Sequence, residues 1–122
     1  MDTVKLGRMA EAAVREIYHK RGYRILAYNL YFGNMGELDI VAHTEEIRGG
    51  TLVFCEVKYR QDFTFEDPSA AVNRQKQKRI RKMAKFFLQR NPKFCVCNVR
   101  FDVAAVTLED QYFSVDIMEN AF

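Results

Sequence analysis

The stretch GELDIVAHTEEIRGGTLVFCEVKYR, Gly36 to Arg60, decides the fold and most of the functional reading. Leu38, Ile40 and Ala42 alternate with Glu37, Asp39 and Val41, the period of two that a strand imposes. Thr51 to Tyr59 is a second extended run, dense in Val, Phe and Cys, and a loop centred on Gly49-Gly50 separates the two. A connection that short most simply makes an antiparallel hairpin. With its turn centred between Ile47 and Arg48, Asp39 faces Glu56, and the two Cβ atoms stand about 5 Å apart. Carboxylates at that range repel each other unless a cation lies between them, and Mg²⁺ or Mn²⁺ suits such hard oxygen donors. Period two puts Lys58 on the face of Glu56, while Val53, Cys55 and Val57 turn to the core. A lysine there can stabilise a pentavalent phosphate or orient an attacking water whose pKa the metal lowers, which is phosphodiester hydrolysis. A surface hairpin carrying a cross-strand charge cluster is the alternative, and two facing acids weigh against it.

On the N-terminal side, Leu6, Met9, Ala10, Ala13, Val14 and Ile17 recur at helical spacing and stop near Gly22. Tyr23 to Phe32 reads as a strand ended by Gly33-Asn34. On the C-terminal side, Gln61 to Pro68 has no period and reads as a loop, followed by a helix from about Ala70 to Arg90 closed by Asn91-Pro92. Val96 to Thr107 and Tyr112 to Ile117 read as strands joined by a turn at Glu109-Asp110. The order αβββαββ, in 122 residues, predicts one α/β domain, residues 1–122, with a mixed sheet packed against helices.

With 48% hydrophobic and 29% charged residues the chain falls outside the disordered class. No run is apolar enough to span a bilayer and the first residues lack a secretory layout, so the expectation is a cytoplasmic protein with no membrane partner. Three cysteines fit reduced thiols, with Cys95 and Cys97 on one face of a strand and packed in the core rather than on zinc. His19 and His43 read as surface histidines.

Charge is unevenly spread. Residues 68–101 hold ten of the nineteen Lys and Arg and none of the sixteen Asp and Glu. Arg74, Gln75, Lys78, Arg79 and Lys82 are the candidate nucleic-acid contacts, and Arg74, Lys78, Arg81, Lys82 and Lys85 project from the helix face opposite Lys76. Such a run is either a phosphate-binding surface or a solvated helix face; the absence of acids favours the first. Lys76 is in phase with Val72, Ile80, Met83 and Phe87, so it either meets a buried anion or snorkels at the end of the stripe. Glu11 lies at the edge of the first helix's apolar stripe, which suits a metal role or an exposed one. Asp102 reads as structural, paired with Arg100.

Asp39 followed by Glu56-Val57-Lys58 resembles the D…E-x-K signature of the PD-(D/E)xK nuclease superfamily. Gly36 to Ala42, Val53 to Arg60 and Arg100-Phe101-Asp102-Val103, with Gly22-Tyr23, Asn29 and the segment from Val72 to Ile80, resemble the successive motifs of the YraN-like family, related in fold to archaeal Holliday-junction resolvases. The family's first motif, G-x-x-G-E-x-x-A, is matched from Gly7 with Ala10 in place of the second glycine and Glu11 retained, and Phe63-Thr64-Phe65-Glu66 departs from its usual Phe-Gly. The resemblance implies a restriction-endonuclease-like three-layer fold and a Mg²⁺- or Mn²⁺-dependent endodeoxyribonuclease. Asp39, Glu56, Val57 and Glu11 would hold the metal, Lys58 would be the catalytic lysine, and Glu11 and Lys76 would support it. DNA, including branched or junction DNA, is the implied partner, and the resolvases imply a homodimer by analogy. A nucleic-acid-binding module that keeps the fold with little or no cleavage is the second expectation.

Overall fold

The computed structural model describes residues 2–46, 48–60 and 72–122. Helix α1 (Thr3–Lys20) starts where the Asp2 carboxylate accepts hydrogen bonds from the Val4 and Lys5 amides at 2.8 and 3.1 Å. It stops at Gly22, whose φ of +91° only glycine takes without strain. There the Gly22 amide donates to the His19 carbonyl and the Tyr23 amide to the Tyr18 carbonyl, while the Tyr18 and Tyr23 rings meet edge-on at 5.2 Å. This hydrogen-bond pair with its apolar clasp seals the helix end and aims the chain into the sheet.

Strands β1 (Arg24–Tyr31), β2 (Glu37–Thr44), β3 (Thr51–Tyr59), β4 (Asn98–Glu109) and β5 (Tyr112–Met118) form one sheet in the order β1-β2-β3-β4-β5. All neighbours are antiparallel except β3 and β4, which the second helix, α2 (Arg74–Arg90), joins as a parallel pair. The mixed sheet and the order αβββαββ are as the sequence predicts. Pairs Ile40↔Cys55 and Val41↔Phe54 fix the β2–β3 register. Carried one residue on, it sets Asp39 against Glu56.

The sheet is covered on both faces, which makes three layers. Ala10, Val14 and Tyr18 of α1 pack with Ile40, Val53, Cys55 and Ala104; Ile80, Met83 and Phe87 of α2 pack with Leu52, Phe54 and Val103. Burying each large apolar side chain contributes roughly 1.5–3 kcal/mol. Val53, Cys55 and Val57 turn to a core, as expected, but the face of Glu56 and Lys58 is not a solvent face. Its first half is a second core, and the charged residues occupy only the end that α2's apolar stripe leaves uncovered. Among the described residues no helix is long and apolar enough to cross a membrane.

Several boundaries differ from those the sequence predicts. Helix α2 begins at Arg74, because the Asn73 side chain caps it by accepting from the Lys76 amide at 2.9 Å. Val72 is therefore not helical, although it is buried as the stripe implies; Ala70, with the predicted loop Gln61 to Pro68 and Phe63 to Glu66, lies outside the described residues. Cys95 and Cys97 are not on a strand. Pro92 starts a 3-10 turn, Pro92–Phe94, and the Cys95 and Cys97 amides donate to the Pro92 and Phe94 carbonyls, so β4 starts only at Asn98. Cys95 is consequently exposed and Cys97 half-buried, rather than both in the core. The last turn falls at Asp110-Gln111, both with positive φ, one residue later than predicted. Strand β2 does start at Glu37, within the predicted alternation, and so brings one more acid onto the central strands.

Candidate metal centre

At the exposed end of β2 and β3, side chains from five elements meet. Asp39 and Glu56 come from the central strands, and both are buried. The Val57 amide donates to the Asp39 carboxylate at 2.8 Å, which locks Asp39 across the two strands. From α1, Glu11 reaches the same place, and Glu37 enters from the first residue of β2. One carboxylate oxygen from each of Glu11, Glu37 and Asp39 lies within 4.8 Å of the other two. From α2, Lys76 meets Glu56 at 2.5 Å, and Lys58 stands 3.9 Å from the same oxygen. A cavity of about 300 Å³ opens onto the group, lined by Glu37, Asp39, Glu56, Lys76 and Arg79 among others.

The electrostatics follow from burial and crowding. Desolvation, then the Glu56 charge, pushes the Asp39 carboxyl up to about 8, against the downward pull of the Val57 amide. Burial and the nearby Lys76 hold the Lys58 ammonium below its ordinary value. Burial also pulls on Lys76, but its hydrogen bond and ion pair with Glu56 outweigh that, and its pKa is raised. Lys76 thus meets a buried anion, and the snorkelling alternative is set aside.

The expected residues are therefore brought together: Glu11, Asp39, Glu56, Lys58 and Lys76 share one end of the sheet, and Val57 contributes its amide to Asp39. Of the candidate nucleic-acid contacts, Arg79 turns toward the cavity, while Arg74, Gln75, Lys78 and Lys82 are exposed along the helix. Arg81 does not project freely with them. Its guanidinium lies over the Phe101 and Phe122 rings, 4.9 and 5.5 Å from their centroids.

Three participants escaped the sequence reading. Glu37 carried a usable signal, since period two puts it on the face of Asp39. Asn29 has a φ of +47°, a conformation uncommon outside glycine, and its amide donates to both Glu11 and Glu37. Arg8 bridges the same two acids, at 3.4 and 3.5 Å. One oxygen, Glu37 Oε2, is buried and finds no hydrogen-bond partner among the described residues. An orphaned buried carboxylate oxygen beside two other carboxylates fits a hard divalent cation.

The model of the uncharacterised protein family UPF0102 matches residues 10–106. A UPF0102 protein of Desulforapulum autotrophicum is 41% identical over 118 residues, covering 97% of this chain and 93% of its own. Another, from Alkaliphilus oremlandii, is 40% identical over 119 residues and 97% of each chain. A third, from Caldicellulosiruptor saccharolyticus, is 36% identical over the full length of both chains. The match takes in Glu11, Asn29, Glu37, Asp39, Glu56, Lys58 and Lys76 alike, and the chain belongs to the UPF0102 family.

Proposed function

We propose that this protein is a divalent-metal-dependent nuclease that hydrolyses phosphodiester bonds in DNA, including branched DNA. The observation that carries this reading is the buried Asp39, crowded by Glu11, Glu37 and Glu56, with two lysines on the Glu56 side. Four acids in one cleft are costly without a cation, and all the donors are oxygens of the kind Mg²⁺ and Mn²⁺ take. Glu11, Glu37 and Asp39 would hold the ion, with Glu56 held beside them by Lys76. When bound, it would supply Lewis acidity to the phosphate and lower the pKa of a coordinated water.

The remaining groups have assignable tasks. Lys58, with its proton held less tightly than usual, suits the step in which the attacking water loses a proton or the leaving oxygen gains one. Lys76 keeps Glu56 oriented, and Arg79 at the cavity wall offers a fixed positive charge to a phosphate oxygen. The exposed Arg74, Lys78 and Lys82 extend that positive surface along α2, where each phosphate contact adds a salt-dependent increment of affinity. A second reading, binding without cleavage, is favoured by one contact: the Lys76 ammonium at 2.5 Å already neutralises Glu56.

The two readings separate in a cleavage assay on linear, nicked and four-way-junction DNA with Mg²⁺, Mn²⁺ or EDTA. The nuclease cuts at least one substrate only with metal, and Lys58→Ala slows it by at least about a hundredfold. Binding of every substrate with no cutting would establish the second reading instead.

A further inference from the structure

We propose that Arg8 is a displaceable stand-in for the divalent cation between Glu11 and Glu37, and that once displaced it binds a phosphate of the nucleic acid beside the site. This inference rests on the reading of Glu11, Glu37 and Asp39 as metal-holding groups.

Two contacts to the same oxygens set the argument. Arg8 Nη1 lies 3.4 Å from Glu11 Oε2 and 3.5 Å from Glu37 Oε1. Asn29 Nδ2 donates to those same two atoms, at 3.3 Å for Glu37 Oε1 and closer still for Glu11 Oε2. The carboxylates are therefore held twice, once from the strand by a neutral amide and once from α1 by a cation. The cation is the looser partner. Both of its contacts are long for charge-assisted hydrogen bonds, and its side chain is 48% exposed. Arg8 can leave without taking the acids with it, because Asn29 stays. Lys76 offers no such freedom, being in tight contact with a Glu56 that is only 5% exposed.

A divalent ion among Glu11, Glu37 and Asp39 would repel a guanidinium bridging two of those carboxylates, and guanidinium cannot relieve the repulsion by losing a proton. Arg8 then has to turn outward. It does so at the rim of the site, beside the Tyr31 hydroxyl and a Tyr31 ring that is 67% exposed. A planar fork of donors next to an exposed aromatic face suits the backbone phosphate and neighbouring base of a strand lying over the acids. Metal and nucleic acid thereby favour each other's binding through one side chain, a coupling that is reciprocal.

Calorimetric titration of Mn²⁺ into the wild type, Arg8→Gln and Arg15→Gln separates this from a general charge effect. Arg15 is on the same helix but sits over the Tyr28 ring at 3.9 Å, so its loss changes net charge equally without freeing the acids. Arg8→Gln should bind Mn²⁺ about fivefold more tightly, and Arg15→Gln like the wild type. Fluorescence anisotropy with a labelled DNA duplex then gives the second sign: adding Ca²⁺ should raise wild-type affinity, and raise that of Arg8→Gln at least about threefold less. Equal or weaker Mn²⁺ binding by Arg8→Gln, or an equal gain in DNA affinity, overturns the proposal and leaves the metal centre standing. A wild type that binds no Mn²⁺ overturns both.

Discussion

Asp39→Asn should make the metal-free protein more stable and the metal-loaded protein inactive. The carboxyl of Asp39 is pushed from its ordinary 3.8 up to about 8 by burial and the Glu56 charge. Below pH 4 folded and unfolded chains both hold this proton, and nothing is lost. Between about pH 4 and pH 8 the unfolded chain has released it while the folded chain retains it, so the fold loses stability from this group as pH rises through that window. Asparagine removes the penalty and still accepts from the Val57 amide through its carbonyl oxygen. The expected gain at pH 8 is about 2 kcal/mol, a Tm increase of roughly 6–10 °C, shrinking toward pH 4. Saturating Mn²⁺ should reverse the order, because only the wild type gains binding free energy on heating with metal. Thermal melts of both proteins at pH 4.5 and 8, with and without Mn²⁺, check all four values. An Asp39→Asn protein less stable than wild type at pH 8 without metal would show that the carboxylate is structural.

Asp102→Ala should be the most destabilising single change outside the core's large side chains, at about 3–5 kcal/mol. Asp102 is fully buried and accepts from four donors: Tyr18 Oη at 2.7 Å, Arg100 Nε and Nη2 both at 2.9 Å, and the Asn120 amide at 3.0 Å. The cluster joins α1 to β4 and to the chain beyond β5, and Arg100 extends it to the Tyr23 hydroxyl at 3.0 Å and Glu119 at 3.2 Å. Its electrostatics are one-sided. Burial lowers the pKa of Arg100, but its bonds to Asp102 and Tyr23 outweigh that and raise it; burial, then Cys55 and Asp102, keeps the Tyr18 hydroxyl protonated far above neutrality. Removing the carboxylate strips the buried Tyr18 hydroxyl of its Asp102 acceptor and leaves the half-buried guanidinium with only Tyr23 and Glu119. Tyr18→Phe removes one donor and keeps the ion pair, so it should cost only about 1 kcal/mol. Urea denaturation of both variants gives the ratio, and equal losses would mean that helix packing, not the buried charge, is what Asp102 secures.

How much of this was legible in the sequence depends on the range of the interaction. Asp39, Glu56 and Lys58 could be placed on one face because strand period and hairpin length are local, and the observed register agrees with the predicted one. Lys76 was legible from helical phase, although the helix starts later than the apolar stripe suggested, because Asn73 caps it. Arg100 and Asp102 are two residues apart on one strand, and their pairing was expected; Tyr18, 84 residues away, was not. Glu37 is visible in the same alternation as Asp39, one residue pair away on the same face. Asn29 is legible only as part of the family pattern and Arg8 carries no signal of its own, since both of Asn29's partners and the Glu37 that Arg8 meets come from other elements. Cys95 and Cys97 were misplaced because their alternation imitates a strand, whereas Pro92 commits the chain to a turn first.

The central claim is that Glu11, Glu37 and Asp39 hold a divalent cation. Calorimetric titration of Mn²⁺ into the wild type and Glu37→Gln tests it most directly. The arrangement predicts saturable binding near one equivalent in the wild type, weakened at least about tenfold in Glu37→Gln. No saturable binding in the wild type, or the same affinity in both proteins, would contradict it.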